Sequence, residues 1–243
     1  MAAPSMIDGA RMFVQVAQEL AVQDDVRAAS ERVVQLARTI LACDSAAIWS
    51  LTALDAVKLQ SATDPVLAEH FGQLVGQVRE GLAWDCLHGH SVLRVGDFST
   101  DRRWPDYRCG VLRSADPVRS AVGYPLGTGE RQLGVLIVTS RQPDFFTDEL
   151  TEVGAIFAQH ATLSLDAVAA QERVRNLETA LGSNRRIGMA IGIVMASYRL
   201  QDEQAFDLLR VASQQGHRKL REVAEDVILT GALPVTPLLN AVS

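Results

Sequence analysis

Apolar residues recur along this chain with two different periods, and the switches between them mark its elements. From 10 to 43 the spacing is helical: Phe13, Val14, Ala17 and Leu20 form one face, then Val26, Val33, Leu36, Ala37 and Ile40 another. Residues 45–51 (SAAIWSL) and 57–63 (VKLQSAT) read as two strands of a hairpin with Asp55 near the turn. Helical spacing returns over 65–80, with Leu67, Phe71, Leu74, Val75 and Val78 inward. Strand-like segments follow at 91–95, 120–126 and 133–139, the last an apolar run suited to a central strand. The long polar stretch 97–116 lies between them, and a connection of that length in a compact domain is usually functional or covers a pocket. This succession is an α+β layout.

From 147 the helical pattern runs without a clear stop to 196. Ile156, Leu163, Ala167, Ala170, Val174, Leu177, Leu181, Gly188, Ile191 and Met195 fit a heptad seam, interrupted by His160 and Asn184. Such a seam predicts a parallel coiled-coil dimer, with Asn184 setting register. An amphipathic helix folded back on the preceding domain gives a similar pattern, and Gly182 and Ser183 are candidate breaks.

The last quarter, 184–233, reads as three short helices on one core. Ile187, Ala190, Ile191, Val194, Met195 and Tyr198 line the first; Ala205, Phe206, Leu208, Leu209 and Ala212 are inward on the second; Leu220, Val223, Ala224, Val227 and Ile228 line a third beginning near His217. Gln201 or Asp202 is the expected cap of the second helix, Gly216 its end, and Gly231 with Pro234 the close of the third. Gly188 and Gly192 sit one turn apart inside the first, which asks for close approach of another backbone.

Charge changes this picture in one respect. The chain carries a net charge of −6, yet residues 184–221 hold seven basic and three acidic side chains. A basic segment on an acidic chain points to a polyanion, with solvated helix faces as the bland alternative. Three cysteines, Cys43, Cys86 and Cys109, argue for reduced thiols. No run approaches the ~18 uncharged apolar residues of a membrane helix and the N-terminus lacks signal-peptide architecture, so a soluble, cytoplasmic protein with no membrane partner is expected.

The spaced residues Arg186, Ala190, Gly192, Ile193, Met195, then Ala205, Phe206, Leu209, Arg210, Ala212, Ser213, then Lys219, Leu220, Val223, Ala224 closely resemble the ANTAR domain, an RNA-binding antiterminator module of bacterial regulators. His217-Arg218 after Gly216 departs from the family's usual third-helix cap. The resemblance implies binding, as a dimer, to nascent messenger RNA leaders carrying tandem hairpins with hexanucleotide loops, which prevents a terminator from forming. It implies RNA contacts from Arg185, Arg186, Ala190, Ser213, Gln214, His217, Arg218 and Lys219: the arginines and the lysine on phosphates, Ser213, Gln214 and His217 on bases or sugars. Tyr198 is a weaker stacking candidate, since an aromatic on an apolar face is more often core.

Between 81 and 150, Trp84-Asp85-Cys86 ahead of a helix, Val95-Gly96-Asp97, Arg103-Trp104-Pro105, Tyr107, Arg119-Ser120, Pro125-Leu126, Leu133-Gly134-Val135-Leu136 and Phe145-Phe146-Thr147-Asp148 resemble a GAF domain. The two modules together resemble the actinobacterial GAF-ANTAR regulators. Implied are an antiparallel sheet with flanking helices and a sensing role. A small ligand of the GAF domain is left open, its pocket lined by Trp84, Cys86, Trp104 and Tyr107, with core packing an equal reading for the aromatics. The signature of cyclic-nucleotide-binding GAF domains is missing, and no other cofactor is implied. Cys86, His88, His90 and Cys109 fit no common zinc spacing. The arginines 102, 103, 108, 113 and 119, interleaved with Asp97, Asp101, Asp106 and Asp116, read as a salt-bridged surface rather than an anion site. No catalytic set emerges, so the chain is not expected to be an enzyme.

The expected organisation is an N-terminal helical segment (1–25), a GAF sensor (26–168), a coiled-coil linker (169–184), an all-α three-helix ANTAR domain (185–236) and a tail (237–243). The expected function is RNA binding with antitermination. The alternative is a ligand-binding or protein-docking GAF dimer whose basic tail binds DNA or a protein.

Overall fold

In the computed structural model, residues 25–114, 117–128 and 131–234 are described. The helix expected before residue 25 and the tail after 236 lie outside them. Contacts divide the chain into two compact units between Glu172 and Arg173.

The first unit is built on a five-stranded sheet of order β2-β1-β5-β4-β3. Its strands are β1 (Ser45–Leu51), β2 (Val57–Ala62), β3 (Leu93–Val95), β4 (Ser120–Thr128) and β5 (Arg131–Ser140). Every pairing is antiparallel. Strand β5 is central, as its apolar run predicts, and the run is unbroken because both faces of the sheet are covered. Leu136 and Val138 join one core with β4's Tyr124 and Leu126, the helix α1 (Val26–Ile40) and the early part of α5 (Asp148–Tyr198). Val135 and Ile137, one residue out of phase, join the opposite core beneath α2 (Pro65–Val78), α3 (Leu82–Gly89) and α4 (Pro105–Leu112).

Local chemistry fixes where these helices start. Asp25 accepts a hydrogen bond from the Ala28 N–H at 2.7 Å to cap α1, and Asp64 does the same for Leu67 at 3.0 Å, with Pro65 pre-set in the first turn of α2. Glu80 serves α4 from a distance, accepting from the N–H groups of Asp106 and Tyr107 at 2.8 Å each. Gly134 is where β5 crosses β1 most closely: a Cβ there would lie 2.2 Å from the Trp49 carbonyl oxygen. The stretch 97–116 contains α4 and is pinned at its base, since Arg119 donates to both oxygens of Asp97 at 3.0 and 2.6 Å, while Arg103 pairs with Asp101 at 2.5 Å. The interleaved arginines and aspartates thus include salt-bridged pairs, as the pattern predicts. The Arg119 guanidinium holds the Asp97 carboxyl well below the usual carboxylate range.

Helix α5 is apolar on two sides. Phe157, Ala161, Leu165 and Val168 are buried in the first unit's core, at three- and four-residue steps. Seam residues on another side are not: Ile156 and Leu163 are exposed in the first unit, and Val174, Leu177 and Leu181 in the second. By length and composition α5 also passes as a membrane span, with a mean hydropathy of 1.2 in its most apolar window. Its apolar content is accounted for by the buried face together with this exposed seam.

The second unit packs the end of α5 with α6 (Asp202–Gln215) and α7 (Leu220–Thr230). Ala190, Val194, Ala205, Leu209, Ala212, Val223, Ala224 and Val227 form its core. Gln201 is the N-cap of α6 in a capping box with Gln204, and Gly231 closes α7 in the left-handed conformation. Two expectations are corrected. Phe206 is 40% exposed and does not point inward, because Ala205 beside it takes the core-facing position and consecutive helical residues diverge by 100°. Helix α7 begins at Leu220 and not near His217, which instead turns the chain with φ of 49°. Among the described residues nothing lies within 4 Å of where a Cβ of Gly188 or Gly192 would stand, so the space over both is open.

Candidate nucleic-acid interface

The turn between α6 and α7 is built around Ser213. Its carbonyl accepts the Arg218 N–H at 3.0 Å and its hydroxyl donates to the Arg218 carbonyl at 2.6 Å. One serine therefore grips Arg218 from both sides, and His217 makes the tight bend between them. The Ser213 hydroxyl proton is committed to this turn, which leaves only its oxygen lone pairs for any ligand. Gln214 and His217 are exposed beside it.

Lys219 stands next, as the N-cap of α7 with extended backbone, and no side chain caps that helix start. Uncapped N–H groups and the positive end of the helix dipole lie beside Arg218, Lys219 and Arg221. Across from them on α5 is Arg186. Together with Thr179, Ser183, Arg221, Glu222 and Glu225 it lines a groove of about 490 Å³. Arg221 had no assigned role in the sequence pattern, although its spacing from Arg218 and Lys219 was the available signal.

Two of the expected phosphate-binding cations are already paired. Arg186 donates to Glu225 at 2.5 Å, and Arg218 donates to Asp226 at 2.5 Å with Glu222 a further 3.9 Å away. Asp226 raises the already high pKa of Arg218, which stays charged at all ordinary pH. Arg185 and Lys219 are exposed. Counting α7 in full, residues 184–230 hold seven basic and six acidic side chains, so the excess of positive charge ends at Arg221. Ala190 is corrected: it is fully buried in the three-helix core, because the helix face it occupies packs on α6 and α7, and it presents nothing to RNA. Tyr198 is partly buried against the same core.

In the first unit, Cys86, Trp104 and Tyr107 are buried in one core, with Trp84 packed against it. Cys86 lies inside α3, which begins at Leu82, and is fully buried. Burial pushes its thiol up to about 12, away from thiolate chemistry. Trp104 and Tyr107 are buried edge to face, with Trp104 Nε1 donating to Asp85 at 2.8 Å, and burial likewise raises the Tyr107 phenol. Trp84 stacks on His88 at 4.4 Å under Arg79. An enclosed space of about 20 Å³ between α2 and the sheet touches none of the four. It is room for one water, whereas an open groove of about 680 Å³ between α1 and β2, lined among others by Arg27, Glu31, Gln35, Leu59 and Gln60, also touches none of the four. Cys109 is exposed, and among the described residues no cluster of three or more His, Cys, Asp or Glu side chains could hold a metal ion.

Comparison with known proteins agrees with this division. The family model for the GAF domain matches residues 23–166, and that for the ANTAR domain matches residues 175–228. Among solved structures, the GAF domain of an Acinetobacter phosphoenolpyruvate-protein phosphotransferase superposes with a TM-score of 0.53 at 16% identity, covering 69% of this chain and 97% of that one. The free methionine-R-sulfoxide reductase of Neisseria meningitidis, solved with its substrate, gives 0.56 at 14% identity, covering 70% and 96%. The GAF domain of the Coxiella burnetii phosphotransferase gives 0.52 at 14%, covering 70% and 99%. At these identities the likeness establishes the fold alone. No curated protein matches the chain.

Proposed function

From the fact that this chain belongs to the GAF domain family and carries an ANTAR domain, we propose that it is a cytoplasmic transcription regulator. It binds tandem hairpins in nascent messenger RNA leaders through the ANTAR domain and acts by antitermination under control of the GAF domain. The pairing is a regulatory one, of sensor with RNA-binding antiterminator module, and the chain is not an enzyme in this reading. The observation that carries it is the coincidence of the ANTAR match with a three-helix unit on which Arg185, Arg186, Arg218, Lys219, Gln214 and His217 are exposed, and in this reading the four cations contact phosphates while Gln214 and His217 read unpaired loop bases. Arg221 is added to the phosphate contacts, on the strength of the groove it shares with Arg186.

The working form is a parallel homodimer. Leu177 and Leu181 are 63% and 68% exposed on α5, and the open space over Gly188 and Gly192 leaves room for the close approach that the sequence asked for, from a second copy. A state change in the GAF domain would alter the spacing of the two RNA sites by shifting the population of this helix pair. The test is titration against RNA bearing two tandem hexaloop hairpins, beside loop-scrambled RNA and duplex DNA, with Arg186→Ala and Lys219→Ala. Loop-dependent binding weakened by both substitutions is expected. Equal weak binding to all three nucleic acids sinks the reading.

A further inference from the structure

Glu222, Glu225 and Asp226 lie three and four residues apart, which puts them on one face of α7. That single acidic row engages cations from two other elements: Arg186 from α5 and Arg218 from the α6–α7 turn. In each short contact a carboxylate oxygen sits at 2.5 Å from a guanidinium nitrogen, the place and charge that a phosphate oxygen would take. Arg185, Lys219 and Arg221, on the same end of the unit, have no such contact among the described residues.

We infer that Glu225 and Asp226 act as built-in phosphate surrogates that set an affinity threshold, so that RNA must displace a carboxylate from Arg186 and from Arg218 to bind. This rests on the RNA-binding reading above. The cost of displacement is the same for every polyanion, because it is fixed by the protein. Only a ligand that adds contacts beyond phosphate, such as correctly placed hairpin loops, recovers it. All polyanion affinities are lowered by one factor, so generic RNA, held by phosphate contacts alone, falls below useful occupancy while a target with added loop contacts stays above it, the ratio of the two affinities being unchanged. Three of the six acids within 184–230 stand in this row, so the opposition is concentrated on Arg186 and Arg218. The pairs also suit exchange. Arg186 and Glu225 are 54% and 50% exposed, so water and counterions reach them and neither is locked.

The experiment uses the full chain with Glu225→Gln and Asp226→Asn, singly and together, and measures fluorescence anisotropy with tandem-hairpin RNA, loop-scrambled RNA and heparin over a range of salt. Each substitution is expected to tighten scrambled RNA and heparin about 2- to 5-fold. It should also steepen the log-affinity against log-salt slope for scrambled RNA by about 0.7 per arginine released. The tandem-hairpin RNA should gain by the same factor, since the cost released is common to all polyanions. Glu225→Asp and Asp226→Glu keep the charge and should behave as the parent protein, and Glu225→Ala with Asp226→Ala, good helix formers at exposed positions, give a second pair of charge-removing variants. Unchanged affinity and slope on scrambled RNA and heparin overturn the surrogate role. The parent protein's failure to prefer tandem-hairpin RNA would overturn the RNA reading instead, and the heparin arm still reports on the ion pairs in that case.

Discussion

Replacing Leu177 and Leu181 together by serine probes the proposed dimer where its energy is most legible. Fully burying a leucine side chain stabilises by ~2 kcal/mol, and about two-thirds of each of these side chains is still open to water in the single chain, at 63% and 68% exposure. Each would then gain ~1.3 kcal/mol on association, and a symmetric dimer contains two copies of each. The double substitution removes roughly 5 kcal/mol, about a 10⁴-fold rise in the dimer dissociation constant. Because both residues are exposed before association, the fold of each chain should be spared. Analytical ultracentrifugation across nanomolar to micromolar protein should find the parent protein dimeric and the variant monomeric, with superimposable far-ultraviolet circular dichroism. A parent protein that sediments as a monomer at micromolar concentration refutes the reasoning outright. A variant that stays dimeric with unchanged affinity moves the interface elsewhere and leaves this seam an exposed apolar face.

Two further outcomes test the first unit. Arg119→Met should lower the urea midpoint at pH 7. Asp97's carboxyl is held below its unfolded value by Arg119, so its stabilising contribution is present above the unfolded value of ~3.9 and lost as pH falls through the folded one. The gap between parent and variant should narrow steadily below pH 4, and a gap independent of pH would mean the ion pair does not anchor the 97–116 stretch. In native protein at pH 8 only Cys109 should react with a thiol reagent, since it alone is exposed, while burial raises Cys43 and Cys86 to about 12. All three should react in denaturant, and rapid native reaction of Cys86 would mean that α3 opens readily from the sheet.

The elements were legible in the sequence because period reports one-sided or two-sided burial directly. The β5 run 133–139 read as a central strand because both faces of that strand are covered, and Leu209, Val223 and Val227 fell on core faces because each helix there has one buried side. The seam of α5 was equally readable, since a residue's heptad position does not depend on what covers it. What tertiary structure alone decided was orientation at crowded or ambiguous positions. Ala205 and Phe206 are both apolar, and only the narrow space against α5 and α7 gives the inward place to the smaller one. Trp104 and Tyr107 read equally as pocket lining or as core, and the structure buries both in the core shared by α2, α3 and α4. The ion pairs were beyond the sequence for a different reason: Arg186 and Glu225 are 39 residues apart, and charge along a chain does not say which cation an acidic residue will meet once two helices have been brought side by side. The sequence therefore determined which residues are candidates for a nucleic-acid interface, and the fold determined which of them are exposed and which are already paired.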